Sequence, residues 1–231
     1  MKKKLFSLLI ILCLLFATGC FNNKKIETDA MKFKKEYESL NGEVIGNSKY
    51  KYPTVEISED NPIKYANYDE VLQLLEDGSG VIYLGYESCP WCRNAAPVLL
   101  EAAEEVGLEE ILYINMKEER DEIKVKEDGS LEVVKEGSEG YKKLLKRLDP
   151  ILDEYILEDV HGNKVSANEK RIFVPLVIFV HEGDIVAYHV DTVSSQVNPF
   201  EKLNEEQINE LINIYVNYMH KALGDVCDSS C

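Results

Sequence analysis

Hydrophobic and polar positions along this chain follow distinct rhythms, and each rhythm predicts an element. The densest is a contiguous apolar run, Val81-Ile82-Tyr83-Leu84, with the length and β-propensity of a strand buried on both faces. Residues 85–88 break it. Beyond them Ala95, Ala96, Val98, Leu99, Ala102, Ala103 and Val106 recur at helical spacing until Gly107 stops them. A further apolar run at 111–116 reads as a buried parallel strand. Before the first run, a short strand at 63–66 and a helix at 68–75, with Val71, Leu72 and Leu75 inward, complete a βαβ unit. Near the other end, 172–180 and 185–190 predict an antiparallel pair. Residues 205–223 predict a terminal helix with Ile208, Leu211, Ile212, Tyr215, Val216 and Met219 on one face.

Weaker patterns fill the gaps. Met31, Phe33, Tyr37 and Leu40 have helical spacing ended by Asn41-Gly42, so an amphipathic helix either packs on the domain or stands off as a spacer. Residues 52–57 alternate like an edge strand. About 55 residues separate the 111–116 strand from the next long apolar run, far more than one crossover helix requires. Within them, 123–125 and 131–134 flank Glu127-Asp128-Gly129 as a charged hairpin. Tyr141, Leu144, Leu145 and Leu148 mark the crossover helix, and Asp149-Pro150 restarts a short second one. Residues 155–160 and 164–165 around His161-Gly162-Asn163 form a second hairpin. This insertion, about 118–171, either builds a wall beside the site or decorates the far side. The expected class is α/β, a central mixed sheet flanked by helices, extended by an N-terminal helix and interrupted by the insertion.

The first residues change the picture of where the domain works. Met1-Lys2-Lys3-Lys4 is a positive stretch followed by an apolar run from 5 to 17 broken only by Ser7. That run is short for a bilayer span and has signal-peptide proportions. It ends Ala17-Thr18-Gly19-Cys20, similar to a bacterial lipobox, which implies cleavage after residue 19, a lipid on Cys20, and an extracytoplasmic protein held at the cell membrane. An uncleaved anchor and an ordinary secretory signal remain alternatives, and all three export the domain. The organisation expected is a signal peptide at 1–19, a tether and helix at 20–50, a main domain at 51–222 and a tail at 223–231. Formal net charge moves from −16 to −19 when residues 1–19, with their three lysines, are removed. Such a surface argues against nucleic acid and against electrostatic adhesion to anionic lipid.

The chemistry lies at one junction. Cys89-Pro90-Trp91-Cys92 falls where a strand hands over to the first turn of a helix, whose unpaired N–H groups and dipole stabilise an anion. Thiols in such motifs ionise near about 3.5 to 7.5, against about 8.5 for a free cysteine. Cys89 is expected to be the exposed nucleophile. Cys92, a turn later, can attack a mixed disulfide on Cys89 and release the product. Pro90 is pre-set for a helical first turn. A static disulfide and half of a zinc site are the competing readings. The four histidines, His161, His181, His189 and His220, have no metal-like spacing, and the tyrosines read as core edge and surface.

These residues resemble the thioredoxin superfamily. Cys89-Pro90-Trp91-Cys92 is similar to its active-site motif, with Pro97 where that family's helix kinks. Val174-Pro175-Leu176-Val177-Ile178-Phe179-Val180 before Glu182-Gly183-Asp184 is similar to its cis-proline strand and turn. The likeness covers about 61–222. More narrowly, the chain resembles thioredoxin-like lipoproteins of Gram-positive bacteria, some labelled bacteriocin transport accessory proteins. The resemblance implies a thioredoxin-like fold and a cis bond before Pro175. It also implies a groove lined by Trp91, Val174 and Pro175, in which the Val174 backbone pairs with substrate. One departure stands out: the family's buried aspartate six residues before the first cysteine is Tyr83 here. Glu87 is the nearest carboxylate in sequence; the choices are a substitute for that aspartate or a solvated loop residue, and it reads as the second.

A second dithiol, Cys227 and Cys231, ends the chain, as a local staple, as a relay exchanging with Cys89 and Cys92, or as part of a four-cysteine metal site. The expectation is a thiol–disulfide oxidoreductase without cofactor or metal, its partners being disulfides of exported proteins or peptides and a membrane or extracellular redox protein. The alternative is a binding module for a transporter or secreted peptide.

Overall fold

The computed structural model describes residues 27–224. In order, the elements are α1 (Asp29–Glu38), β1 (Ile63–Tyr65), α2 (Tyr68–Asp77), β2 (Gly80–Gly85), α3 (Pro90–Val106), β3 (Ile111–Asn115), β4 (Glu122–Val125) and β5 (Leu131–Lys135). There follow α4 (Glu139–Leu148), a 3₁₀ turn (Asp149–Ile151), β6 (Glu154–Glu158), β7 (Lys164–Lys170), β8 (Leu176–His181), β9 (Asp184–Val190) and α5 (Glu205–Leu223). The expected signal peptide, the lipidation at Cys20 and the Cys227–Cys231 pair lie outside the described residues. No described helix is long and apolar enough to cross a membrane.

Five strands make the central sheet in the order β1-β3-β2-β8-β9. β1 and β2 run parallel to β3, while β8 is antiparallel to β2 and β9 to β8. β2 sits at the centre, and its alternation divides the core. Val81 and Tyr83 face a layer built from α1, α3 and α5, whereas Ile82 and Leu84 face α2 and α4. A strand walled on both sides must be apolar at every position, which is why 81–84 has no polar residue. The protein is thus α/β, with a mixed five-stranded sheet between helices.

Helix ends follow their local chemistry. Asn67 caps α2 with a reciprocal capping box through Glu70, and Asn204 does the same for α5 through Gln207. Gly107 closes α3 in the left-handed region, φ 67°, where a Cβ would be strained. α1 packs onto the sheet, and Phe33 and Tyr37 are fully buried there. Each such side chain contributes about 1.5–3 kcal/mol of transfer free energy.

One expected strand is absent. Residues 52–57 do alternate in burial, with Val55 and Ile57 inward, but no strand pairs with them. Side chains of the preceding segment satisfy the backbone of Val55 and Ile57 instead. Asn41 accepts from the Val55 N–H and donates to its carbonyl (2.9 and 2.8 Å), while Glu38 and Lys34 serve Ile57 in the same way (2.8 and 2.6 Å). The backbone rule is met without a ladder.

Both hairpins of the insertion form, β4 with β5 and β6 with β7, as separate two-stranded sheets. The second is longer than expected, and β8 begins later, at Leu176. The neck of the insertion is closed by Arg171, whose guanidinium donates to the Asp121 carboxylate (2.7 Å) and carbonyl (2.8 Å) and lies over the Tyr155 ring at 4.1 Å.

Candidate active site

β2 delivers the chain to the site, and a turn closed by the Cys89 N–H on the Tyr86 carbonyl (3.2 Å) redirects it into α3. Cys89 is the N-cap of this 17-residue helix, with Pro90 at the first helical position and no acidic residue in the first turn. A serine or aspartate oxygen usually fills this role. Here the Cys89 Sγ accepts the Cys92 N–H at 3.2 Å. The sulfur therefore occupies the place where a helix favours negative charge.

Across from it stands the loop before β8. The Val174–Pro175 peptide bond is cis, and the Cys89 thiol lies 3.7 Å from the Val174 carbonyl, to which it donates. Cys89, Cys92 and Val174 belong to one buried cluster, against which half-buried Trp91 packs. Pro175 is tied into β9 through its carbonyl, which accepts the Asp191 N–H at 3.0 Å. Residues distant in sequence are thus brought to one spot.

The two free thiols are driven in opposite directions. Cys89 is held below the ordinary thiol value, first by a hydrogen bond from the Cys92 thiol. Burial opposes this, while the Cys92 N–H, the Arg120 guanidinium and the Trp91 N–H add to it. Cys92 is pushed well up, mainly by burial and then by Cys89 itself, with the Tyr83 hydroxyl pulling the other way. The anion is thus favoured on the first sulfur and disfavoured on the second.

Two expectations need correction. Cys89 is not exposed: only 5% of its surface is accessible, and Cys92 has none. The cis-proline loop and Trp91 close over the junction, which spacing along the chain does not reveal. Five tyrosines are not edge residues either, since Tyr37, Tyr83, Tyr113, Tyr141 and Tyr215 are all buried, while the others lie at the core edge or surface as expected. Each of the five occupied an apolar position of its element, and that position was the available signal.

Glu87 also differs from its expected solvated role. It is bound by Lys117 (2.7 Å) and Asn115 (3.0 Å); burial alone would raise its carboxyl, but these partners outweigh burial and leave it lowered. Its charge is committed to that pair.

Three side chains of the site had no sequence motif. Arg93, fully buried, donates to the carbonyls of Pro53 (2.8 Å), Tyr37 (2.6 Å) and Glu87 (3.1 Å) and to the Asn41 side chain (2.6 Å). It fastens α1 and the 41–53 segment behind the dithiol, and a charged residue interrupting the apolar run of α3 was its one sequence trace. Asn94 binds the Pro199 carbonyl at 2.9 Å and the Leu203 N–H at 3.3 Å, docking the approach to α5. Arg120, from the start of the insertion, stacks over the Tyr86 ring (5.1 Å) and donates to its hydroxyl (2.9 Å). The insertion therefore reaches the rim of the site. Among the described residues, no three His, Cys, Asp or Glu side chains group closely enough to share a metal ion.

The fold and the site together define a class: an α/β protein carrying a buried dithiol at a helix N-terminus, faced by a cis-proline loop. No family model matches the chain, and no curated protein does either.

Proposed function

We propose that this protein is a thiol–disulfide oxidoreductase of thioredoxin-like fold acting on disulfides in proteins or peptides. One observation carries the reading: the Cys89 sulfur caps α3 through the Cys92 N–H while facing the Val174 carbonyl across the cis-proline loop. The Cys89 thiolate attacks a substrate disulfide, forming a mixed disulfide and releasing one substrate thiol. Cys92 then attacks Cys89, closing the intramolecular disulfide and releasing the second thiol. Trp91, Val174 and Pro175 line the groove, and the Val174 backbone aligns the substrate strand. Electrons reside in the dithiol, so no cofactor enters. The leader-like first residues and Cys20 place this chemistry, in the same proposal, on a lipid-anchored protein outside the cytoplasm, where a membrane or extracellular partner resets the dithiol. Cys227 and Cys231 are candidates for that relay.

Trapping tests it. Cys92→Ser should accumulate mixed disulfides with exported proteins, and Cys89→Ala should abolish reduction of a model protein disulfide. Undiminished reduction by the Cys89 variant would sink the assignment of the nucleophile. A second reading, a binding module with incidental cysteines, draws on the near-complete burial of Cys89. It wins if Cys92→Ser traps nothing while the wild type still binds a partner.

A further inference from the structure

The exchange just described leaves one buried assembly unused. Behind Cys92, Tyr37 from α1, Tyr83 from β2 and Tyr113 from β3 are each fully buried. The Tyr83 and Tyr113 rings stack with centroids 5.3 Å apart, and Phe33 meets Tyr113 edge-on at 5.0 Å. Their polar ends converge. The Tyr37 and Tyr83 hydroxyls are 2.9 Å apart, and Tyr83 Oη donates to the Cys92 carbonyl at 3.5 Å. The backbone leaves room for this arrangement, because a Cβ on Gly85 would fall 2.6 Å from the Tyr83 hydroxyl oxygen. Packing alone would be served by phenylalanine, which avoids desolvating a hydroxyl. Three phenols collected behind Cys92, one of them on its carbonyl, call for another explanation.

We propose that Tyr83, held by Tyr37, is a positioning residue whose hydroxyl turns from the Cys92 carbonyl, its partner at 3.5 Å, to the Cys92 sulfur as that sulfur attacks the mixed disulfide on Cys89. The inference rests on the proposed exchange reaction. In that step an S–S bond forms between Cys92 and Cys89, and the bond from Cys89 to the substrate sulfur breaks. The electron pair leaves on the substrate sulfur, and the proton of the Cys92 thiol ends on that departing thiol. Tyr83 keeps its own proton, burial holding its phenol well above the ordinary range. It acts as a donor where water is excluded and charge gathers on sulfur. The other titratable groups facing Cys92 are Cys89 and Tyr86 on the rim, Tyr37 and Tyr113 behind, and Tyr215 from α5. The role gives α1 a purpose, since it carries Tyr37 to the donor.

Two measurements test this. In single turnover, Tyr83→Phe should form the mixed disulfide at the wild-type rate but resolve it roughly tenfold more slowly, with Tyr37→Phe changing resolution less and in the same direction. In a Cys89→Ala background, the ¹³C shift of labelled Cys92 should titrate about one pH unit higher once the Tyr83 hydroxyl is removed. A merely structural tyrosine would move neither the resolution step nor that titration. Unchanged resolution and unchanged titration in both phenylalanine variants would overturn the proposal. Should the wild type form no mixed disulfide at all, the exchange reading falls, and the Cys92 titration alone then decides whether the hydrogen bond exists.

Discussion

The rim and the floor of the dithiol are built from opposite materials. At the rim, Cys89 meets a helix N-terminus, a carbonyl on the cis-proline loop and the Arg120 guanidinium. At the floor, Cys92 is buried among apolar side chains with the Tyr83 phenol behind it. Two residues separate the cysteines, yet one thiol is pulled down and the other pushed up. The lesson is that a Cys-X-X-Cys motif sets only part of its asymmetry: the Cys92 thiol and the first-turn N–H groups favour the anion on Cys89, and the burial of Cys92 comes from the surrounding fold. The helix end offers stabilisation to the first sulfur, and burial denies solvation to the second.

Several substitutions would break or sharpen this contrast. The largest effect should come from the floor, where Tyr37→Ala deletes a fully buried ring. Loss of about 3–5 kcal/mol is expected for such a cavity, measured as a lower urea midpoint at unchanged slope. A loss below about 1 kcal/mol would mean that α1 is dispensable packing.

Next comes the anchorage of the rim. Asp121→Ala removes the carboxylate that Arg171 holds at the neck of the insertion, where both side chains are largely buried. Stranding the guanidinium should cost about 3 kcal/mol, with Asp121→Asn costing less. Equal losses in the two variants would assign the whole cost to the stranded charge and none to the lost hydrogen bond.

The smallest effect bears most directly on the contrast. Arg120→Met removes a cation that lowers Cys89, so the thiolate forms at higher pH. The alkylation profile of Cys89 should move to higher pH, slowing reaction roughly threefold below its midpoint. The Cys92 titration, dominated by burial, should stay in place. Movement of both together would dissolve the distinction between rim and floor.

Much of the scaffold was legible along the chain. The run Val81–Leu84 had to be a central strand, because no amphipathic position is left in it. The helical spacing after Cys92 and the stop at Gly107 bounded α3 closely, and the loop before Pro175 was placed opposite Cys89 by resemblance and found there. Residues 52–57 misled, because alternation reports which side chains are buried and not what pairs with the backbone between them. Asn41, Glu38 and Lys34 did that pairing, and nothing in a period of two names such partners. Arg93 and Arg120 escaped for a related reason, as a cation's partners lie elsewhere in sequence.

By itself, then, the sequence determined the elements, their inward faces and the position of two sulfurs at a helix start, all properties of local periodicity and spacing. Only the tertiary structure decided that both sulfurs are buried, that the Tyr83 phenol lies behind Cys92, and that the insertion reaches the rim. Those outcomes depend on groups that are distant along the chain and close in space, and electrostatic energy follows distance in space.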